Sequence, residues 1–362
     1  MTGSMVEMKE RIDYLDALKA ICIILVVFCH SALLPENSVW GNVVMTLSWA
    51  AVPCFMMISG MLMHHSSSFQ WKKYLWKVIK VFSVLCIWRL VYYIVFQCME
   101  PFSVSKTDFV QYVFFLKDLE AVNTGVMWYM IAYLVVLLLY PITYSLFKQK
   151  NWAQLKFLLA LSAAAGIILP SLDWLINFLL KAMGRNGMSI SGLNRILPLS
   201  NYANMTFYFM LGIFLLAYQD RIRNFFLKRK YLSAAMLVLG LCMLLLVKYA
   251  DTGSFAWQGI YISGGYSHLP TAIMALGLYG CFMLYDGNAL YSWIGRIIGQ
   301  HTMGIYYLHY LLLAVCSRYI FAELRPYYSF GMNCVKTVVI VTVCAGITTV
   351  LKKVPYVREL VR

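Results

Sequence analysis

Ten runs of apolar residues, separated by short polar breaks, organise the chain: about 17–34, 39–63, 74–98, 125–147, 154–170, 200–218, 231–249, 269–286, 302–321 and 332–351. Each approaches the roughly 20 residues an α-helix needs to cross a bilayer core; the fifth is the shortest. Two further stretches, DFVQYVFFLKDL (108–119) and DWLINFLLKAM (173–183), space apolar residues helically but are too short to cross. They predict helices lying in the membrane interface. The pattern predicts an all-α integral membrane protein of about ten transmembrane helices in a single bundle, one domain over residues 1–362. No low-complexity linker or internal repeat stands out.

Composition agrees with the pattern. The chain is 62% hydrophobic and only 12% charged, with mean hydropathy +0.71, against about 25% charged residues in an ordinary soluble domain. The net charge of +15 does not point to nucleic acid, because such a binder concentrates Lys and Arg on a polar surface. Here they fall in the breaks, with clusters at Lys72–Lys73, Lys148–Lys150, Lys228–Lys230 and Lys352–Lys353 on one side. Scattered Lys106, Lys117, Lys181, Arg185, Arg195 and Arg325 fall on the other. That asymmetry predicts cytoplasmic N and C termini in the plasma membrane. The ten cysteines lie mostly inside apolar runs, with no CxxC and no zinc-ligand spacing, so they read as packing residues and no metal is expected. No cleaved signal peptide is expected either, since Asp13, Asp16 and Lys19 lead into the first run. His64, His65, His268 and His301 fall at span ends or in loops, where solvated histidines are expected.

The first run, LDALKAICIILVVFCHS, carries ionisable groups at both ends. At 100° per residue the eleven steps from Lys19 to His30 end about 20° past three full turns, and Asp16 shares that face within about 60°. One stripe therefore holds Asp16 and Lys19 near one membrane face and His30 about 16 Å further along. Such a stripe belongs against a bundle interior or a wet cavity rather than lipid. Two readings fit it: a topology anchor with a hydrogen-bonded interior His, or a chemical site.

The lysine, ten intervening residues and the histidine resemble the start of the membrane-bound acyltransferase-3 family. The resemblance continues through FMMISGMLM (55–63), the basic start of the third run, MWYM (127–130) and TMGIYYLHYLL (302–312). It implies ten spans and transfer of an acyl group, usually acetyl and sometimes succinyl, from cytoplasmic acyl-CoA to a hydroxyl. The acceptor it implies is a surface glycan or a lipid-linked sugar. No bound cofactor is implied, acyl-CoA being a co-substrate. The alternative from a different class is a multi-span transporter using the same stripe, although the Gly- or Pro-interrupted repeats usual in transporters are not evident.

Acyl transfer to an alcohol needs a base, a stabilised oxyanion and a grip on a polyanionic donor. His30 is the candidate base or acyl carrier, because an unperturbed imidazole accepts protons near neutrality. Lys19 either neutralises the donor or polarises its thioester, and Asp16 either holds Lys19 or only satisfies it. Lys73, Lys77 and Lys80 are the candidate donor-phosphate residues. The family's arginine pair is replaced here by Lys77-x-x-Lys80, which keeps charge but loses the bidentate fork. His309, amid Tyr306, Tyr307 and Tyr310, matches the family pattern and is grouped with the donor site. Trp128 is either an interfacial belt residue or part of the acyl or acceptor path. Arg89 and Arg318 either bind an anionic acceptor such as a lipid pyrophosphate or snorkel to headgroups. Glu36 either orients His30 or pairs with a loop arginine.

Overall fold

The computed structural model describes residues 12–31, 34–35, 38–65, 68–195, 201–253, 265–284, 289–320 and 327–361. All regular structure among them is helical. Six helical stretches are long and apolar enough to cross a membrane: Val39–His64, Trp71–Met99, Gly125–Lys148, Trp152–Ala182, Lys230–Thr252 and Phe330–Leu351. Four other expected spans are helical but shorter or more polar: α1 (Asp13–His30), α9 (Ala203–Ala217), α12 (Leu269–Leu284) and α14 (Thr302–Tyr319). By length and composition, α12 and the helical stretch Ala289–Tyr319, which ends in α14, can count as one span broken by a 117° bend.

Local chemistry explains many of the boundaries. Ser38 caps α2 (Val39–Ser48), which runs into α3 (Ala51–His64) across a break at Trp49–Ala50. The long α4 (Trp71–Met99) is followed by α5 (Lys106–Val113), capped by Ser105. This helix begins before the stretch 108–119 expected to lie in the interface and covers only its first half, the chain leaving the helix after Val113. In α6 (Trp128–Lys148), Pro141 removes one ladder hydrogen bond. After the amphipathic α10 (Gln219–Lys228), α11 (Lys230–Thr252) ends on Gly253 at φ +68°, the left-handed residue that commonly stops a helix. Ser329 caps α15 (Phe330–Leu351).

Three expectations change. The stretch 173–183 does not stand alone: α7 (Trp152–Ala163) continues through a π-turn at Ala164–Ile168 into α8 (Leu169–Ala182), one helix of 31 residues. Hydrophobic periodicity slips where an extra residue enters the ladder, so the two halves read as separate elements. Between α12 and α14 lies α13 (Ala289–Ile297), packed on the start of α1 with Ser292 Oγ donating to Asp13 (2.5 Å). His64 and His268 are buried rather than solvated; His64 Nδ1 donates to the Gly60 carbonyl (2.9 Å) and Nε2 pairs with Thr143 Oγ1 (3.1 Å).

Two apolar cores meet along α1 and α6. One gathers α1, α3, α9 and α12; the other gathers α1, α4, α14 and α15. Apolar on nearly every side, α1 is buried as such a helix must be. The backbones of α3 and α9 touch: a methyl at Gly60 would fall on the Phe209 carbonyl oxygen, and one at Gly212 on that of Met57. Such approach is what small residues permit between membrane helices, where packing drives association. After α15 the chain turns back along α4. There Glu359 pairs with Lys80, Trp88 Nε1 donates to the Leu360 carbonyl (2.9 Å), and Val361 is fully buried.

The side on which each end of α11 lies can be checked directly. With exposed Cys98 and Cys242 removed, Lys228→Cys is expected to react with an impermeant maleimide only from the cytoplasmic side. Thr252→Cys is expected to react only from outside; labelling of both from one side would overturn the orientation drawn from the charge asymmetry.

Candidate active site

The ionisable stripe on α1 borders an internal cavity. Ile23, Val26, Cys29 and His30, the continuation of the face carrying Asp16 and Lys19, line a space of about 80 Å³ with Thr302, Met303, Tyr306 and His309 of α14. Four residues of each helix border it, seven steps apart from first to last (Ile23 to His30, Thr302 to His309), so the cavity extends about 10 Å along the bundle. Lys19 sits one turn beyond Ile23, ion-paired to Asp16 at 2.5 Å. The pair is held from outside α1, because the turn at Gly299 packs against the Asp16 carbonyl so closely that a side chain there would collide with it. At the far end Ser31 Oγ lies 3.2 Å from Asn333 Oδ1 and 3.1 Å from Thr337 Oγ1, which pins α1 to α15 beside His30.

Two imidazoles close the cavity. The His30 and His309 rings lie 5.4 Å apart between centroids, and the Tyr310 ring stands edge-on to His30 at 5.8 Å. His309 Nδ1 faces two carbonyl oxygens, of Tyr306 (2.6 Å) and Ile305 (3.1 Å), so Nδ1 carries the proton and Nε2 the lone pair. That Nε2 is buried and has no hydrogen-bond partner among the described residues, an arrangement that costs free energy unless something else meets the lone pair. His30 makes ring contacts but no hydrogen bond among the described residues. The sequence grouped His309 with the donor lysines; the structure sets it beside His30.

Two larger spaces adjoin this cavity. A groove of about 390 Å³ is lined by Lys73 and Lys77 with Ser59, Leu62, Met63, Tyr133 and Tyr140. Ser59 and Tyr133 lie one turn from Phe55 and Tyr129 of the cavity wall, so groove and cavity are neighbours along both α3 and α6. A chamber of about 550 Å³ lies between α4, α6 and the loop before α6, and Trp128 lines both chamber and cavity. Asn123 of that loop donates to the Tyr310 hydroxyl (2.5 Å), which links the chamber to the ring against His30.

Other expected residues stand elsewhere or are otherwise engaged. Lys77 lies over the Tyr133 ring (5.9 Å), while Lys80, one turn on, turns to Glu359. Arg89 is 2% exposed. Its guanidinium lies over the rings of Tyr112 (4.1 Å) and Phe115 (4.4 Å) and donates to Asp118 and the Lys117 carbonyl, each at 2.9 Å. It therefore does not snorkel and its charge is paired, although its buried Nε has no hydrogen-bond partner among the described residues. Nearby, Lys117 donates to Asp108 (2.6 Å) and holds that carboxyl below its usual range. Arg318 pairs with Glu100 (3.0 Å) near the far end of α4, away from the cavity. Glu36 lies outside the described residues, as do Arg11 and Arg325. Among the described residues no three His, Cys, Asp or Glu are grouped to hold a metal ion.

Sequence reasoning missed Asn123, Glu120 and Glu359, single polar residues in breaks that carry no local signal. It also missed Gly295-x-x-x-Gly299, whose small-xxx-small spacing is a legible sign of close helix approach.

Searches of curated proteins and of solved structures return no match. A family model does match: the acyltransferase domain of the acyltransferase-3 group aligns with residues 12–352, from the start of α1 to just beyond α15. With a match that spans α1 to α15 and every wall of the cavity, the chain belongs to the acyltransferase-3 family.

Proposed function

We propose that this membrane acyltransferase moves a small acyl group, acetyl first among candidates, from cytoplasmic acyl-CoA to a hydroxyl of a surface glycan or lipid-linked sugar. The observation that carries the reading is the sequence of three spaces: a lysine-lined groove, the cavity closed by His30 and His309, and the chamber beyond Trp128. A donor held by its phosphates in the groove would point its thioester into the cavity, where the acceptor arrives from the other end.

In the direct form, the acceptor oxygen attacks the thioester carbonyl carbon and its proton passes to an imidazole nitrogen of His30. The carbon–sulfur bond then breaks and the departing thiolate takes that proton, giving ester and free CoA thiol. In the relayed form an imidazole nitrogen is acylated first and then transfers the group to the hydroxyl, with the same net products. The lone pair on His309 Nε2 would receive or steady a proton shared between the rings. Asp16 would keep Lys19 oriented at the entry.

Purified protein given radiolabelled acetyl-CoA and a glycoside acceptor is expected to release CoA and form a labelled ester. An intact thioester with every acceptor would return the stripe to a transport role. Donor binding gives a graded check. Replacing Lys73 and Lys77 together by Ala is expected to weaken acetyl-CoA binding about tenfold, two modest charge contacts in sum, and added salt is expected to weaken wild-type binding. Lys80→Ala should change it less, Lys80 being engaged by Glu359. An unchanged Kd in the double variant would leave the lysines as topology anchors.

A further inference from the structure

The chamber beyond Trp128 carries a chemical preference of its own. One of the two readings of Arg89 has it receive an anionic acceptor, but its charge is already met by Asp118 and its faces by Tyr112 and Phe115. The other cation of that loop, Lys117, is held by Asp108. What remains charged and unpaired on the chamber wall, among the described residues, is Glu120, which is exposed. Its polar neighbours are uncharged: Asn123, which reaches Tyr310, and Thr124. The apolar walls include Trp128 and Phe115. Few polar groups on apolar walls are how a pocket orients a ligand, and one carboxylate without a free cation repels anions.

We infer that this chamber binds the acceptor as a neutral or amine-bearing sugar, its ring against Trp128 and its hydroxyl toward His30, and that it excludes anionic groups such as pyrophosphate or uronate. The inference rests on the acyl-transfer reading for the hydroxyl's fate but not for the binding itself. Asn123 is a positioning residue: its amide nitrogen holds Tyr310 against His30, while its side-chain oxygen accepts from the Gly125 N–H (3.1 Å).

The test uses full-length protein in detergent, radiolabelled acetyl-CoA, and three nitrophenyl β-glycosides: glucoside, glucosaminide and glucuronide. A diazirine-bearing glucosaminide reports binding independently of transfer. The glucoside and glucosaminide are expected to be acetylated at least about tenfold more efficiently than the glucuronide, the effect of one partly screened charge contact. Glu120→Lys is expected to cancel or reverse that preference while leaving acetyl-CoA affinity unchanged, and Glu120→Gln to narrow it. Glu120 is exposed and makes no hydrogen bond or ion pair among the described residues. Cross-links are expected within residues 115–128. Equal or better use of the glucuronide, a preference unmoved by Glu120→Lys, or cross-links elsewhere would each overturn the inference. Cross-linking within 115–128 without acetyl transfer to any glycoside would uphold the chamber and overturn the transfer reading instead.

Discussion

His30→Ala protein is expected to bind acetyl-CoA with near wild-type affinity and to transfer acetyl about 10² to 10⁴ times more slowly, the usual contribution of a positioned general base. The loss would be greater if an acyl-imidazole forms, because the covalent route then disappears altogether. The groove that would hold the nucleotide is bounded by α3, α4 and α6, not by His30, which is why binding and turnover should separate. Among the described residues His30 contributes only ring contacts, so its removal breaks no hydrogen bond and the variant should elute as one species. Rapid quenching of wild type with labelled donor and no acceptor distinguishes the two routes, since only the relayed form leaves label on the protein. Turnover of His30→Ala within a few-fold of wild type would remove His30 from the chemistry.

The largest stability effect is expected at the contact of α3 with α9. Alanine in place of Gly60 or Gly212 would gain up to about 1 kcal/mol in helix propensity. The added methyl, however, meets a backbone carbonyl rather than a side chain that can swing away. Overpacking of this kind costs about 1–3 kcal/mol or more, and relief requires the two helices to separate, so the net sign is destabilising. Leucine at either position should be worse and is expected to yield aggregated protein. Gly346→Ala is the control, because nothing lies within 4 Å of its new methyl. Loss of the monodisperse peak on heating should come several degrees earlier for Gly60→Ala and Gly212→Ala, and no earlier for Gly346→Ala. Equal melting of all three would mean that α3 and α9 are not in backbone contact.

Much of this was legible in the chain because it is local. Apolar runs mark helices, and 100° per residue puts Lys19, Ile23, Val26 and His30 on one face without any knowledge of their neighbours. That face does border a cavity. What stands opposite it was not legible, since nothing in a helix's own pattern says which other helix it will meet. Thus His309 was grouped with lysines more than 200 residues away in sequence, whereas the fold sets it against His30. Arg89 misled for a related reason: an arginine in an apolar run reads as a free cation until Asp118, Tyr112 and Phe115, all from the next segment, surround it. The nine residues of α13 escaped because a short amphipathic helix between two long runs resembles an ordinary loop.

The returning segment after α15 has a practical side. The Leu360 carbonyl holds the Trp88 indole, and that indole lies flat on Tyr307 (5.0 Å between centroids, 4° between planes), two residues before His309. From Lys80, met by Glu359, to Trp88 is about 12 Å of helix, so the segment reaches well down the side of α4. A bulky label attached beside the fully buried Val361 would tug on the stack next to the imidazole pair. Reporters are better inserted in the exposed turn at Gly184–Met188, where the backbone has little packing to lose.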